Sequence, residues 1–134
     1  FNLAWIEQAL EATASYDLTD EQLLADIQRT LLELTAETIV RALNSQLENQ
    51  ALTGQVQLAV CGGGAHNTVL MDRLATLLPT VRVCSTSELG IAPDWVEAGT
   101  FAWLASEAIK GRRFDNQRLT GARGNFILGG IYKA

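Results

Sequence analysis

The sequence predicts an α/β protein, on three observations. The stretch from Thr19 to Asn49 carries leucine and isoleucine at helical spacing and contains neither glycine nor proline. Two short apolar runs predict strands: 56–61, which is bounded by Gly54 and Gly62, and 81–84. The twelve residues 67–78 between them have a helical apolar face. We therefore expect parallel strands joined by a right-handed crossover, with helices on both faces of the sheet.

The first third of the chain predicts two helices separated by a polar break at 13–17. Apolar residues recur at helical spacing over 3–10, and Asn2 is a suitable N-cap. The second helix, about 19–49, opens on a sequence with the form of a capping box, in which the Thr19 hydroxyl caps the helix and Gln22 reaches back. We expect the broad apolar stripe of this helix to be buried, including Leu24, Ile27, Leu31 and Leu34.

The remainder predicts alternating strands and helices. After the strand at 81–84 comes a loop at 85–92, and a helix then begins near Pro93, a residue favoured in a first helical turn. That helix is expected to run to Lys110 and to stop at Gly111. The polar, basic segment 112–118 is expected to be a solvated loop, and residues 126–128 predict one more strand.

Composition excludes several classes of function. The net charge of −5 offers no basic face for a nucleic acid, and no apolar run of about 18 residues exists to span a membrane. Cys61 and Cys84 are too few for a disulfide framework and predict two reduced core thiols in a cytoplasmic protein. One histidine and no zinc-type spacing predict no metal site. Because the chain begins at Phe1 without a methionine or a signal peptide, we expect it to be a piece of a longer protein.

The predicted strand at 56–61 runs directly into Gly62, Gly63 and Gly64, and a helix follows. Glycines allow positive φ and let backbone N–H groups approach a phosphate or a flat ring. The dinucleotide-binding pattern is disfavoured because Asn67 stands where its last glycine belongs, and the P-loop is disfavoured because no Gly-Lys-Ser/Thr follows. The alternative is a turn that only packs the helix closely on the sheet.

The segment from Val60 to Asn67 resembles the adenosine loop of the sugar kinase, Hsp70 and actin superfamily. In order along the chain, further segments resemble the C-terminal part of the anhydro-N-acetylmuramic acid kinase family: 26–36, 88–91, 97–105, 120–122 and 127–132. The resemblance covers nearly the whole chain. It implies a partial ribonuclease-H-like (actin-like ATPase) lobe, in which residues 1–134 form the C-terminal portion of the second, ATP-side lobe without an internal boundary.

The resemblance also implies a function. The family uses ATP, Mg²⁺ and water to convert 1,6-anhydro-N-acetylmuramic acid to N-acetylmuramic acid 6-phosphate in bacterial peptidoglycan recycling. A nucleotide and an amino sugar are therefore the implied partners, and a homodimer is the implied assembly. The alternatives are another sugar kinase or ATPase of the same superfamily, and a non-enzymatic α/β module that binds a partner through its long helix.

Residue by residue, the resemblance assigns ATP binding to Gly62, Gly63, Gly64 and Asn67. His66 is a candidate adenine contact, and the alternative is a solvated histidine at a helix start. Glu97 matches a family glutamate on the sugar side, and the alternative is an acid that stabilises the positive end of the helix dipole.

The chain lacks two motifs of the family, Gly-Thr-Ser-x-Asp-Gly and the aspartate-bearing Asp-Thr-Gly-Pro-Gly-Asn. The resemblance therefore places no catalytic residue and no metal ligand in this chain, and the chain alone is predicted to be inactive.

Overall fold

The computed structural model describes residues 3–12, 17, 19–49, 54–115 and 117–130. They divide into two compact units, Phe1–Thr53 and Gly54–Ala134, which we describe separately. The expectation that the chain lies within one lobe stays a prediction, because compactness within one chain does not define the domains of a longer protein.

The first unit contains two helices, α1 (Leu3–Glu11) and α2 (Glu21–Asn49). Both were predicted, and α2 begins two residues later than expected. The predicted N-cap of α1, Asn2, lies outside the described residues.

The predicted capping box at the start of α2 is wrong. The cap is Asp20, whose Oδ1 accepts hydrogen bonds from the backbone N–H groups of Gln22 (2.9 Å) and Leu23 (3.4 Å). The Thr19 hydroxyl instead donates to Asp17 Oδ1, on the side away from the helix in sequence, at 2.7 Å. The same bond lowers the pKa of Asp17. A carboxylate next to the helix thus replaces the hydroxyl that the sequence pattern favoured.

The apolar stripe of α2 is only partly buried, contrary to expectation. Ala36 and Val40 are buried, whereas Leu24 is 40% and Leu34 is 37% exposed. A groove of about 290 Å³ runs between α1 and α2, and Ile27 and Leu31 line it while remaining half-buried. The short helix α1 is too small to cover the stripe of a 29-residue partner.

The second unit places its main elements in the predicted order. They are β1 (Gln57–Val60), α3 (Thr68–Leu77), β2 (Arg82–Ser85) and α4 (Trp95–Ile109). The strands β1 and β2 pair in parallel, from Gln57 opposite Arg82 to Val60 opposite Ser85. The prediction of an α/β chain with a parallel pair is confirmed. The buried apolar residues of this unit are Leu70, Leu74, Leu78, Val81 and Cys84.

A second, antiparallel pair lies near the C-terminus, where β3 (Phe114–Asp115) meets β4 (Asn125–Phe126). The predicted strand at 126–128 is thus shifted by one residue and shorter. The segment 112–118 was expected to be an irregular loop, but it contains β3 and the start of α5 (Gln117–Thr120). A two-residue strand in a charged segment leaves no alternating pattern to detect.

The C-terminal end of α4 is fixed by a buried carboxylate. Gly111 adopts φ 68° after the helix, in agreement with the predicted stop. Glu107 is only 3% exposed, and its oxygens lie 2.9 Å from Lys110 Nζ and 2.7 Å from Arg112 Nη1. The hydrogen bond from Lys110, aided by the charge of Arg112, lowers the pKa of Glu107. These ion pairs join the end of α4 to the segment that follows it.

The two cysteines differ in environment. Both are free, and Cys84 in β2 is buried as expected. Cys61 is exposed, so the prediction that it is a core thiol is wrong. It follows the last residue of β1, where the chain leaves the sheet.

Candidate functional site

The candidate site is the glycine loop, a 3₁₀ helix of residues Gly62–His66 that leaves the carboxyl end of β1. Gly62 adopts φ 63°, in the left-handed region that residues with a Cβ rarely occupy. Its N–H donates to the carbonyl oxygen of Pro93 at 3.0 Å. Gly62 therefore turns the chain and anchors the loop, and its N–H is already used within the protein.

The three glycines have different surroundings. A methyl group built on Gly62 would lie 3.9 Å from Glu97 Oε1, and one on Gly64 would lie 3.6 Å from Val60 and 3.7 Å from Leu70. One built on Gly63 would meet no described atom within 4 Å. Gly64 thus allows close packing of the loop on the core, while Gly63 presents bare backbone to open space.

Asn67 begins the helix that follows the loop. It is the N-cap of α3, and its Oδ1 accepts a hydrogen bond from Leu70 N at 3.1 Å. Its own N–H donates to Gly64 O at 3.2 Å. One backbone N–H of the first turn of α3 is therefore already bonded within the protein, which makes this helix start less suited to binding a phosphate.

His66, the last residue of the loop, pairs with Asp94. His66 Nε2 lies 2.8 Å from Asp94 Oδ1, and both side chains are more than half exposed. Asp94 stands at the N-cap position of α4 but makes no capping hydrogen bond there. The sequence alone did not reveal this pairing, because no local pattern connects residues 28 positions apart.

The charged groups at the loop are mostly acidic. Glu97 lies in the first turn of α4, as predicted, and its carboxylate approaches Gly62. Together with Asp94 it places two carboxylates beside the glycine loop. A phosphate there would be repelled by like charge, whereas an uncharged flat ring or a sugar hydroxyl would not. The arrangement favours the nucleoside part of a nucleotide over its phosphates.

A second loop lies at the same edge of the sheet. Because Val60 pairs with Ser85, both strands end together. The serine loop, a 3₁₀ helix of residues Thr86–Leu89, follows β2. Its N-cap is Ser85, whose Oγ accepts from Ser87 N at 3.3 Å. The buried Thr86 Oγ1 has no hydrogen-bond partner among the described residues.

No described helix is long and apolar enough to cross a lipid bilayer. Within the described ranges, no group of three or more histidine, cysteine, aspartate or glutamate residues is arranged to hold a metal ion.

These features define an α/β protein with a candidate ligand site where its parallel strands end, the usual position of ligands in such sheets. The profile of the anhydro-N-acetylmuramic acid kinase family matches residues 1–134. The chain belongs to this family, as its sequence predicted.

Individual relatives agree with the family profile. The chain is 49% identical over its whole length to the anhydro-N-acetylmuramic acid kinase of Pseudomonas savastanoi pv. phaseolicola and 47% identical over 98% of its length to that of Pseudomonas fluorescens. It is 46% identical over its whole length to the enzyme of the same name from Xylella fastidiosa. The chain spans about a third of the length of these relatives.

Proposed function

We propose that this chain is the ATP-binding, C-terminal portion of a kinase that converts 1,6-anhydro-N-acetylmuramic acid, ATP and water to N-acetylmuramic acid 6-phosphate. The observation that carries the proposal is the family match over all 134 residues. The reaction would serve peptidoglycan recycling in the bacterial cytoplasm. The full-length enzyme would be about three times as long as this chain, in keeping with its relatives.

The glycine loop would receive the adenosine part of ATP. Gly63 offers open backbone against which a flat base can lie, and Gly62 and Gly64 set the turn and the packing that expose it. Asn67 would hold the loop in register with α3. The carboxylates of Asp94 and Glu97 support the placement of the phosphates elsewhere.

Phosphoryl transfer itself would take place outside this chain. It requires positioned positive charge around the transferred group and a base for the attacking water. The motifs that carry the aspartate and the phosphate contacts in the family do not occur in this sequence. The residues here would therefore bind and orient the nucleotide, and Mg²⁺ would be held in the rest of the enzyme. The chain alone would be inactive.

Exposed apolar surface supports the proposal that further chain packs on this unit. Trp95, Phe101 and Ile109 of α4 are largely exposed. A groove of about 570 Å³ runs beside α4, lined almost entirely by apolar side chains and by the segment 128–130. Parallel strands are normally covered on both faces, and this pair is only two strands wide. We propose that the chain completes a ribonuclease-H-like lobe, that Glu97 faces the sugar cleft, and that the enzyme is a homodimer.

One observation favours a second candidate, a non-enzymatic module that binds a partner through α2. Leu24 and Leu34 are exposed in part, as a partner-binding face would be. The kinase proposal attributes this exposure to the two-thirds of the relatives' length that lies outside the chain. Protection of these leucines within the purified full-length enzyme would remove the second candidate.

The proposal is tested by steady-state kinetics of the full-length enzyme with the anhydro sugar. The wild type should phosphorylate the sugar only with ATP. Gly63→Val fills the open face, so KM for ATP should rise about tenfold or more while Tm changes little, because a side chain there meets no described atom. The matched control is Ala75→Val, which adds bulk at an exposed position of α3 and should leave KM unchanged.

The two parts of the proposal fail separately. Absence of ATP-dependent phosphorylation by the wild type would overturn the activity. An unchanged KM for ATP in Gly63→Val, in an otherwise active enzyme, would overturn the glycine loop as the nucleotide site.

A further inference from the structure

The glycine loop is held at both ends by two consecutive residues. At its first residue, Gly62 N donates to Pro93 O at 3.0 Å. At its last, His66 Nε2 lies 2.8 Å from Asp94 Oδ1. Pro93 is buried, so the first tie has a fixed support. Gly63 lies between the two ties and has no described atom within 4 Å of a built Cβ.

The Asp94 carboxylate contacts the glycine loop and not the first turn of its own helix. An aspartate at an N-cap position ordinarily accepts hydrogen bonds from the first turn of its own helix, a contribution of about 1 kcal/mol to stability. Asp94 instead has helical backbone angles, φ −73° and ψ −15°, makes no capping bond, and its carboxylate contacts His66.

Stability does not account for the pair. The His66 and Asp94 side chains are 59% and 67% exposed. Exposed contacts between polar side chains contribute little to folding, because water competes for the same hydrogen bonds. Such a contact can instead affect ligand affinity by holding the loop in one position. A site that is ordered before the ligand binds avoids the free-energy cost of ordering on binding.

We propose that His66 and Asp94 are a positioning pair that holds the glycine loop open for the nucleotide, and that His66 acts through Asp94 rather than by touching the adenine. This rests on the proposed function, in which the loop binds ATP. The pair sets the distance between the end of the glycine loop and the start of α4.

The test uses the full-length enzyme with ATP and the anhydro sugar. His66→Ala should raise KM for ATP about two- to fivefold, the range expected for losing one exposed side-chain hydrogen bond. The kcat, KM for the sugar and Tm should stay unchanged. Asp94→Ala should have the same effect, and the double variant should be no worse than either single one, because each removes the same contact.

A conservative replacement distinguishes a positioning role of His66 from a direct contact between His66 and the adenine. His66→Gln keeps a nitrogen near the position of Nε2 that can donate to Asp94, so KM for ATP should return close to the wild-type value. If His66 touched the adenine directly, Asp94→Ala would leave KM unchanged and the effects in the double variant would not coincide. That result would overturn the proposal.

The outcome also separates this inference from the proposed function. If Gly63→Val raises KM for ATP while His66→Ala and Asp94→Ala do not, the loop binds ATP and the positioning pair is wrong. If the wild type shows no ATP-dependent activity, the proposed function fails first.

Discussion

The two loops that leave the parallel strands are built differently, although both start at the same edge of the sheet. Polar groups of the serine loop bond to residues close in sequence: Ser87 N donates to Ser85 Oγ, and Glu88 forms a 2.6 Å ion pair with Arg82. The glycine loop depends on the segment before α4, through Pro93 and Asp94.

The difference shows which loop is suited to a ligand. Each of the four residues of the serine loop carries a side chain, and the loop ends at Gly90 with φ 86°. The glycine loop offers bare backbone at Gly63 and is fixed from outside. A loop that is both open and externally held can receive a ligand without rearranging, which supports the proposal that the nucleotide binds at the glycine loop.

The largest expected effect comes from the left-handed glycine of each loop. Gly62→Ala and Gly90→Ala should each cost about 1–2 kcal/mol of stability, because both glycines have positive φ and neither added methyl would clash. Only Gly62→Ala should also raise KM for ATP, by about tenfold, since it displaces the face that binds the base. Thermal melting and steady-state kinetics of the full-length enzyme measure the two effects.

Equal effects of these two variants on KM for ATP would break the comparison. They would show that the serine loop contributes to the nucleotide site as much as the glycine loop does.

A smaller effect is expected from the side-chain caps. Asn67→Ala removes the cap of α3 and should cost about 1 kcal/mol. Ser85→Ala removes two exposed hydrogen bonds to its Oγ, from Ser87 N at 3.3 Å and from Ser87 Oγ at 2.9 Å, and should cost about 0.5 kcal/mol. Melting curves of the two variants give the ranking, and a larger loss for Ser85→Ala would contradict it.

Much of the second unit could be predicted from the sequence. The short, mainly apolar runs at 56–61 and 81–84 predicted both parallel strands, because the strands of a parallel sheet are largely buried. The triple glycine located the candidate site, and Glu97 was correctly placed at the start of α4.

The features that sequence reasoning missed depend on contacts between distant residues. The pairing of His66 with Asp94 joins positions 28 apart, and the anchoring of Gly62 by Pro93 uses a backbone carbonyl that no residue type reveals. Asp20 caps α2 by accepting from Gln22 N, although the sequence pattern predicted Thr19 as the cap. The Thr19 hydroxyl donates to Asp17 instead. The three-dimensional positions of the groups decide which of them form a hydrogen bond, and a sequence pattern does not contain those positions.

The central claim is that the nucleoside contacts the glycine loop and not the serine loop. Amide hydrogen exchange of the full-length enzyme, with and without a non-hydrolysable ATP analogue, tests it most directly. We expect added protection in peptides that cover Gly62–His66 and little change in those confined to Thr86–Leu89. Protection of Thr86–Leu89 with no change at Gly62–His66 would contradict the account.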